Sequence, residues 1–307
     1  MNFRSCSSLK VEISTQGEVT SYRYSRYNVA LETLNMKFES LHNERIPKIG
    51  FGTWSIGGGM SPDRSKDARS LRALRSALEI GYRHFDTAEM YASGHSEELL
   101  GQAVRESGVP RDELFIASKV NASHLRYNDV LRACENSLRH LGMGYLDLYL
   151  IHWPSGSIPL KETFRALNQL VREGRVRHVG VSNFDLRLLK QAQAESEEPI
   201  FTDQVPYSLS DRSYVRNGVL EYCQKNNILL TAYSPVEEGR LRVNSTLQAI
   251  ADAHAATPYQ IALAWLVLQP RVITIPMSYN PEHIVENFVA ADINLSDSEI
   301  ERLNRLA

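Results

Sequence analysis

Leu146-Asp147-Leu148-Tyr149-Leu150-Ile151-His152-Trp153-Pro154 is an apolar run that ends abruptly in a histidine, a tryptophan and a proline. Amphipathic stretches flank it, Asp129 to Leu141 before and Thr163 to Arg172 after. A strand that is apolar at nearly every position is buried on both faces, and a parallel sheet covered by helices provides that burial. The polar residue at its carboxyl end then stands where such sheets carry their chemistry.

The same beat extends in both directions. Short runs rich in β-branched and aromatic residues recur at Gly50 to Trp54, Tyr82 to Phe85, Leu114 to Ala117, Val176 to Val181, Phe201 to Val205, Ile228 to Tyr233 and Val272 to Ile275. Helical periodicity fills the intervals at Ala68 to Glu79, Glu97 to Glu106, Leu186 to Ala192, Asn217 to Asn226, Thr246 to Ala255 and Tyr259 to Val267. Eight strand-then-helix units predict an α/β protein with a single (β/α)8 TIM barrel domain. The alternative, an open doubly wound sheet, normally carries G-x-G-x-x-G after its first strand. That fingerprint is absent, although Gly57, Gly58 and Gly59 cluster nearby.

Ahead of the barrel, Met36 to His42 and Arg45 to Ile49 flank Asn43-Glu44 and predict a short N-terminal β-hairpin. Residues 1–35 are rich in Ser, Thr, Tyr and Arg without a sustained pattern, so they are expected to form a poorly structured extension, with Met36 a candidate working start. An organellar transit peptide is the other reading, against which Glu12, Glu18 and Glu32 supply more acid than such peptides carry. The domain division is therefore 1–35 and 36–307.

Composition narrows the function classes. The 307 residues hold 34 Lys plus Arg against 36 Asp plus Glu, a net charge of −2 that offers no footprint for nucleic acid or an anionic membrane. No apolar run approaches the roughly 20 residues that cross a bilayer. Cys6, Cys134 and Cys223 are odd in number and widely spaced, which fits a reducing compartment and points to no disulfide framework or zinc site. A cytoplasmic monomer acting on small molecules is expected.

Strand ends are where the polar residues gather. The second strand leads into Asp86-Thr87-Ala88-Glu89-Met90-Tyr91, the third ends in Ala117-Ser118-Lys119 and the fourth in Ile151-His152-Trp153. Singly, Asp86 is an ordinary loop cap, Lys119 an ordinary ion-pair partner and His152 an ordinary core imidazole. Together, an Asp, a Tyr, a Lys and a His at matching ends of three consecutive strands resemble the aldo-keto reductase family, and further motifs carry the resemblance from about Met36 to the C-terminus.

The resemblance implies hydride transfer between a nicotinamide cofactor and the carbonyl carbon of an aldehyde or ketone. Tyr91 is then the general acid, Lys119 the ammonium that lowers its pKa, Asp86 the partner of Lys119, and His152 the orienter of the substrate oxygen. It also implies a coenzyme site built from Thr53, Trp54, Ser182, Asn183, Gln204, Tyr233, Ser234, Val236, Ser278, His283, Glu286 and Asn287, and no metal. Among these, Ser182, Asn183 and Gln204 match positions that hold the nicotinamide carboxamide, and Tyr233 matches the ring that stacks on it. Trp54, Tyr91, His152 and Trp153 match the substrate pocket.

Two departures concern the coenzyme. Met277 and His283 stand where the family usually places a lysine and an arginine that clamp the 2′-phosphate of NADPH. NADPH remains the first expectation, with NADH use more plausible than in a typical member; Arg240 or Arg242 is a candidate replacement cation. Glu237 and Glu238 in the same loop are expected to turn to solvent. Asn121 stands where many members carry tryptophan, and no long tail follows the Leu295 to Leu306 helix, so small aldehydes and dicarbonyls are expected rather than steroids. The same architecture also serves as a non-catalytic nicotinamide-binding regulatory subunit, which the complete Asp, Tyr, Lys and His set disfavours. A metal-dependent barrel hydrolase lacks clustered ligands, since His84 and His152 have no such companions.

Overall fold

The computed structural model describes residues 36–306, so the expectation for 1–35 lies outside the described residues. It begins with an antiparallel hairpin of β1 (Phe38–Leu41) and β2 (Glu44–Pro47), in which Leu41 pairs with Glu44. The turn is His42-Asn43, one residue earlier than the sequence predicts. Both residues lie at positive φ, 48° and 66°, as the twist of a two-residue hairpin demands. Asn43 tolerates that conformation better than most side chains, and in this register Leu41 and Ile46 are buried.

All eight predicted barrel strands are present and parallel: β3 (Phe51–Gly52), β4 (His84–Asp86), β5 (Phe115–Val120), β6 (Leu146–Ile151), β7 (Val176–Ser182), β8 (Thr202–Pro206), β9 (Leu229–Tyr233) and β10 (Val272–Thr274). They pair in chain order. The first closes on the last: Gly50 N–H donates to Thr274 O at 2.8 Å, Thr274 N–H to Lys48 O at 2.8 Å, and Gly52 N–H to Pro276 O at 3.2 Å. This seam needs a glycine, because a Cβ on Gly52 would stand 2.7 Å from the Ile275 carbonyl oxygen.

The helices are α1 (Asp67–Ile80), α2 (His95–Ser107), α3 (Tyr127–Leu141), α4 (Leu160–Arg172), α5 (Leu186–Glu195), α6 (Ser213–Arg216), α7 (Val219–Lys225), α8 (Ser245–Ala253), α9 (Pro258–Leu268), α10 (Pro281–Val289) and α11 (Asp297–Asn304). Two differ from the sequence expectation. The helix predicted over 217–226 begins only at Val219, because Gly218 at φ 85° separates it as α7 from the short α6 that precedes it. The other is α10, which the sequence reading did not include; its Asn280 cap accepts from Glu282 N–H and its first residue is Pro281, a combination that favours helix initiation.

Leu41 and Ile46 of the hairpin join Phe115, Ala117, Leu148, Leu150, Phe201, Leu229 and Ile273 in one buried cluster. The hairpin therefore plugs the amino end of the barrel, each such side chain contributing about 1.5–3 kcal/mol by burial. Side chains alternate along a strand, so positions two residues beyond this packed interior also face inward. Lys119 follows Ala117, His152 follows Leu150 and Asp86 follows His84, which carries all three into the carboxyl mouth.

Candidate active site

Lys119 is the centre of the mouth. Its side chain is fully buried and its three N–H donors are all engaged: Asp86 Oδ2 at 2.5 Å, the Thr87 carbonyl at 2.8 Å and Tyr91 Oη at 3.3 Å. Asp86 Oδ1 accepts from Gln204 Nε2 at 2.8 Å. A buried charge is tolerated when paired and fully hydrogen-bonded, and here both members of the pair are. Because Tyr91 Oη accepts from the ammonium, the phenol's own proton is directed elsewhere. Tyr91, His152 and Trp54 all border the cleft. The rings of Tyr91 and His152 lie 5.5 Å apart and those of Tyr91 and Trp54 5.1 Å apart, each pair edge to face.

The chain leaves Tyr91 through a strained turn. Ala92 and Ser93 both adopt left-handed conformations, φ 48° and 52°, at a cost of about 1–2 kcal/mol each. Ala92 N–H donates to Gly59 O at 2.7 Å and Ser93 Oγ to Met60 O at 3.0 Å, so the glycine-rich segment after β3 holds the turn. Ser96 Oγ donates to Thr53 Oγ1 at 2.9 Å and ties α2 to the same segment.

Two opposing effects set the state of the Tyr91 phenol. Lys119 does pull the Tyr91 pKa down, but burial outweighs it and the phenol sits above its ordinary value. It is therefore protonated throughout the neutral range. Asp86 and Tyr91 together hold the Lys119 ammonium above the usual lysine value despite its burial. Burial, aided by Lys119, pushes His152 down to about 3, so its imidazole is neutral.

Beside Tyr91 a cleft of about 640 Å³ runs from Trp54, Tyr91, His152 and Trp153 to Met277. Ser182, Asn183, Gln204, Tyr233, Ser234 and Val236 line it, along with Thr53 and Asp86. Ser182 Oγ donates to Gln204 O at 2.7 Å, Asn183 Nδ2 to Ser182 Oγ at 2.9 Å and to His152 O at 3.2 Å, and Tyr233 Oη to Asn183 Oδ1 at 2.9 Å. Both N–H groups of the Asn183 amide are thus used, which leaves acceptor capacity on its Oδ1 and on Ser182 Oγ for a primary amide. Long, open, aromatic at one side and amide-lined on its floor, the cleft suits a nicotinamide dinucleotide.

The coenzyme-end expectations divide. Ser278, His283, Glu286 and Asn287 lie beyond the walls of this cleft, on the turn before α10 and on α10 itself. Ser278 Oγ accepts from Asn280 N–H at 3.0 Å, and Asn287 is buried. Arg240 pairs with Glu238 at 3.0 Å, and Glu237 accepts from Ser208 Oγ at 3.2 Å, so Glu237 is tied to the β8 loop rather than turned to solvent. Among the described residues no group of His, Cys, Asp and Glu side chains is arranged to hold a metal ion, and no helix is long and apolar enough to cross a membrane.

Residues 48–307 match the model of the aldo/keto reductase family. The chain belongs to the aldo/keto reductase family. A methylglyoxal reductase of Escherichia coli (strain K12), YeaE, is 36% identical over 266 residues, 85% of this chain and 90% of that protein. Among solved structures, the thermostable aldo-keto reductase Tm1743 in complex with epalrestat is 47% identical, with a TM-score of 0.85 over 89% of this chain and all of that one. An aldo-keto reductase from Klebsiella pneumoniae in complex with NADPH is 38% identical, with a TM-score of 0.80 over 89% of this chain and 95% of that one. This aldo/keto reductase is accordingly an oxidoreductase of the nicotinamide-linked type.

Several members of the aldo/keto reductase site escape sequence reasoning. The Thr87 carbonyl that completes the Lys119 shell is a backbone group and carries no residue signal. The Gln204 to Asp86 bond spans 118 positions of chain. Met90, Ser55 and Glu238 also border the cleft; Met90, adjacent to Tyr91, is the one whose position in the motif could have marked it.

Proposed function

We propose that this aldo/keto reductase reduces small aldehydes and dicarbonyls to alcohols with NADPH, Tyr91 serving as the general acid. One observation carries the reading: the Lys119 ammonium donates to Tyr91 Oη, at 3.3 Å, and so leaves the phenolic proton to face the cleft. A reduced nicotinamide dinucleotide bound along that cleft supplies the hydride. The substrate carbonyl sits among Trp54, Tyr91, His152 and Trp153, its oxygen within reach of the phenol and of the imidazole.

As charge develops on that oxygen, the Tyr91 hydroxyl donates to it and then yields its proton. Lys119 stabilises the phenolate left behind, and Asp86, itself held by Gln204, keeps the ammonium charged and aimed. Lys119 thus acts on the phenolate as it forms rather than by acidifying the resting phenol. The neutral His152 ring offers an N–H to the same oxygen without competing for the proton.

Ser182, Asn183 and Gln204 hold the carboxamide, and the Tyr233 ring lies against the nicotinamide and fixes which face it presents. Thr53, Ser234 and Val236 border the dinucleotide, while Ser278, His283, Glu286 and Asn287 receive its adenosine end. With Met277 in the place of a cation, NADPH is favoured over NADH by less than in relatives that keep both cations.

Small dicarbonyls are favoured by the open mouth, where Trp54 and Trp153 are 43% and 48% exposed, and by the methylglyoxal reductase relative. The buried free thiols Cys134 and Cys223 fit a cytoplasmic setting. Consumption of NADPH and of NADH across small aldehydes, dicarbonyls and aromatic aldehydes tests the reading; failure of every carbonyl to oxidise either coenzyme rejects it.

A further inference from the structure

The seam that closes the barrel carries, above its backbone bonds, a side-chain link. Tyr279, in the turn between β10 and α10, donates its hydroxyl to the carbonyl of Ser55 in the segment after β3. The Arg69 guanidinium of α1 covers the same ring at 4.1 Å from its centroid. Tyr279 is thus held on its face by a cation and at its tip by a backbone acceptor.

Both segments entering this contact border the cleft. Pro276 and Met277 of one segment and Trp54 and Ser55 of the other all line it. Trp54 is 43% exposed and meets the Tyr91 ring edge to face, so little packing fixes it and the backbone beside it must. That backbone is strained, since Ser55 adopts φ 73° without being glycine, a conformation that persists only where surrounding contacts impose it.

We propose that Tyr279 is a positioning residue whose hydroxyl, by holding the Ser55 carbonyl, sets the Trp54 wall of the substrate pocket relative to the coenzyme end of the cleft. The inference rests on the cleft being the coenzyme and substrate site. Its consequence is a specificity effect: small substrates, which touch few side chains, depend on Trp54 standing close over the carbonyl.

Tyr279→Phe removes the hydroxyl and keeps the ring under Arg69. With methylglyoxal as the substrate, KM rises by about fivefold to tenfold, the range one lost hydrogen bond produces, while kcat stays within about twofold, as for a contact made equally in ground and transition states. Acrylamide quenching of the Trp54 emission, taken as the difference between each protein and its Trp54→Phe counterpart, becomes steeper. Arg69→Met loosens the ring without touching the hydroxyl and shifts KM and quenching in the same direction by less.

An unchanged KM with unchanged Trp54 quenching overturns the proposal. So does a parallel fall in kcat and melting temperature with Trp54 quenching unaltered, which marks a merely structural bond. The quenching measurement needs no turnover. A wild-type protein that reduces no carbonyl therefore rejects the proposed function while Tyr279 is still judged on Trp54.

Discussion

The Lys119 ammonium donates to Tyr91 Oη at 3.3 Å while its two other donors are taken by Asp86 and the Thr87 carbonyl. An ammonium has three N–H groups, so the phenol receives the third and keeps its own proton for whatever binds in the cleft that Tyr91 borders. Burial holds that proton on the oxygen at neutral pH, and Lys119 lowers the cost of giving it up.

Removing the ammonium tests the pair as a unit. Lys119→Met leaves Asp86 buried with Gln204 alone, and an uncompensated buried charge costs about 3–5 kcal/mol. Urea denaturation is expected to show a loss of that size, with most of it recovered when Asp86→Asn is added. Turnover in both variants falls by about 10²–10⁴, the range of general acid catalysis.

The pH dependence follows from the directions of the shifts. With Tyr91 as the general acid, as proposed, reduction needs the phenol protonated, and the Tyr91 pKa lies above its ordinary value, so kcat/KM for reduction is level from about pH 6 to 9 and falls only beyond the ordinary tyrosine value of about 10. Alcohol oxidation needs the phenolate and rises with pH over the same alkaline limb. His152, held near 3, adds no inflection near the ordinary histidine value of about 6.5. Stopped-flow rates for both directions check this; an inflection near neutrality that disappears in His152→Gln contradicts it.

Met277 lines the cleft and offers no charge. Met277→Lys is expected to raise the ratio of NADPH to NADH affinity by about tenfold to a hundredfold, as one charge-assisted hydrogen bond would. Fluorescence titration with each coenzyme measures it. An unchanged ratio means that this turn does not meet the 2′-phosphate.

Much of the fold was legible because barrel strands announce themselves by apolar runs and barrel helices by amphipathic ones. All eight strands fall where that contrast predicts, and Asp86, Lys119 and His152 face inward because each continues the two-residue alternation of its strand. What was not legible depends on backbone conformation or on distant pairing. The hairpin turn shifted to His42-Asn43 because burial of Leu41 and Ile46 fixes the register. Asn280-Pro281 signals a helix start, but the coenzyme motif around it drew the reading to its side chains, and α10 was not predicted. The burial that raises the Tyr91 pKa against the pull of Lys119 was not legible, because a motif names its ammonium and not its depth. Tyr279 and Ser55 lie 224 positions apart, and only closure of the barrel makes them neighbours.

Tyr91→Phe tests the central claim most directly, since it deletes one oxygen and keeps the ring between Trp54 and His152. With NADPH and methylglyoxal, the account predicts that the wild-type protein oxidises the coenzyme. The variant should bind NADPH within about threefold of wild type while its turnover drops by about 10²–10⁴. Turnover that survives the substitution unchanged would contradict it.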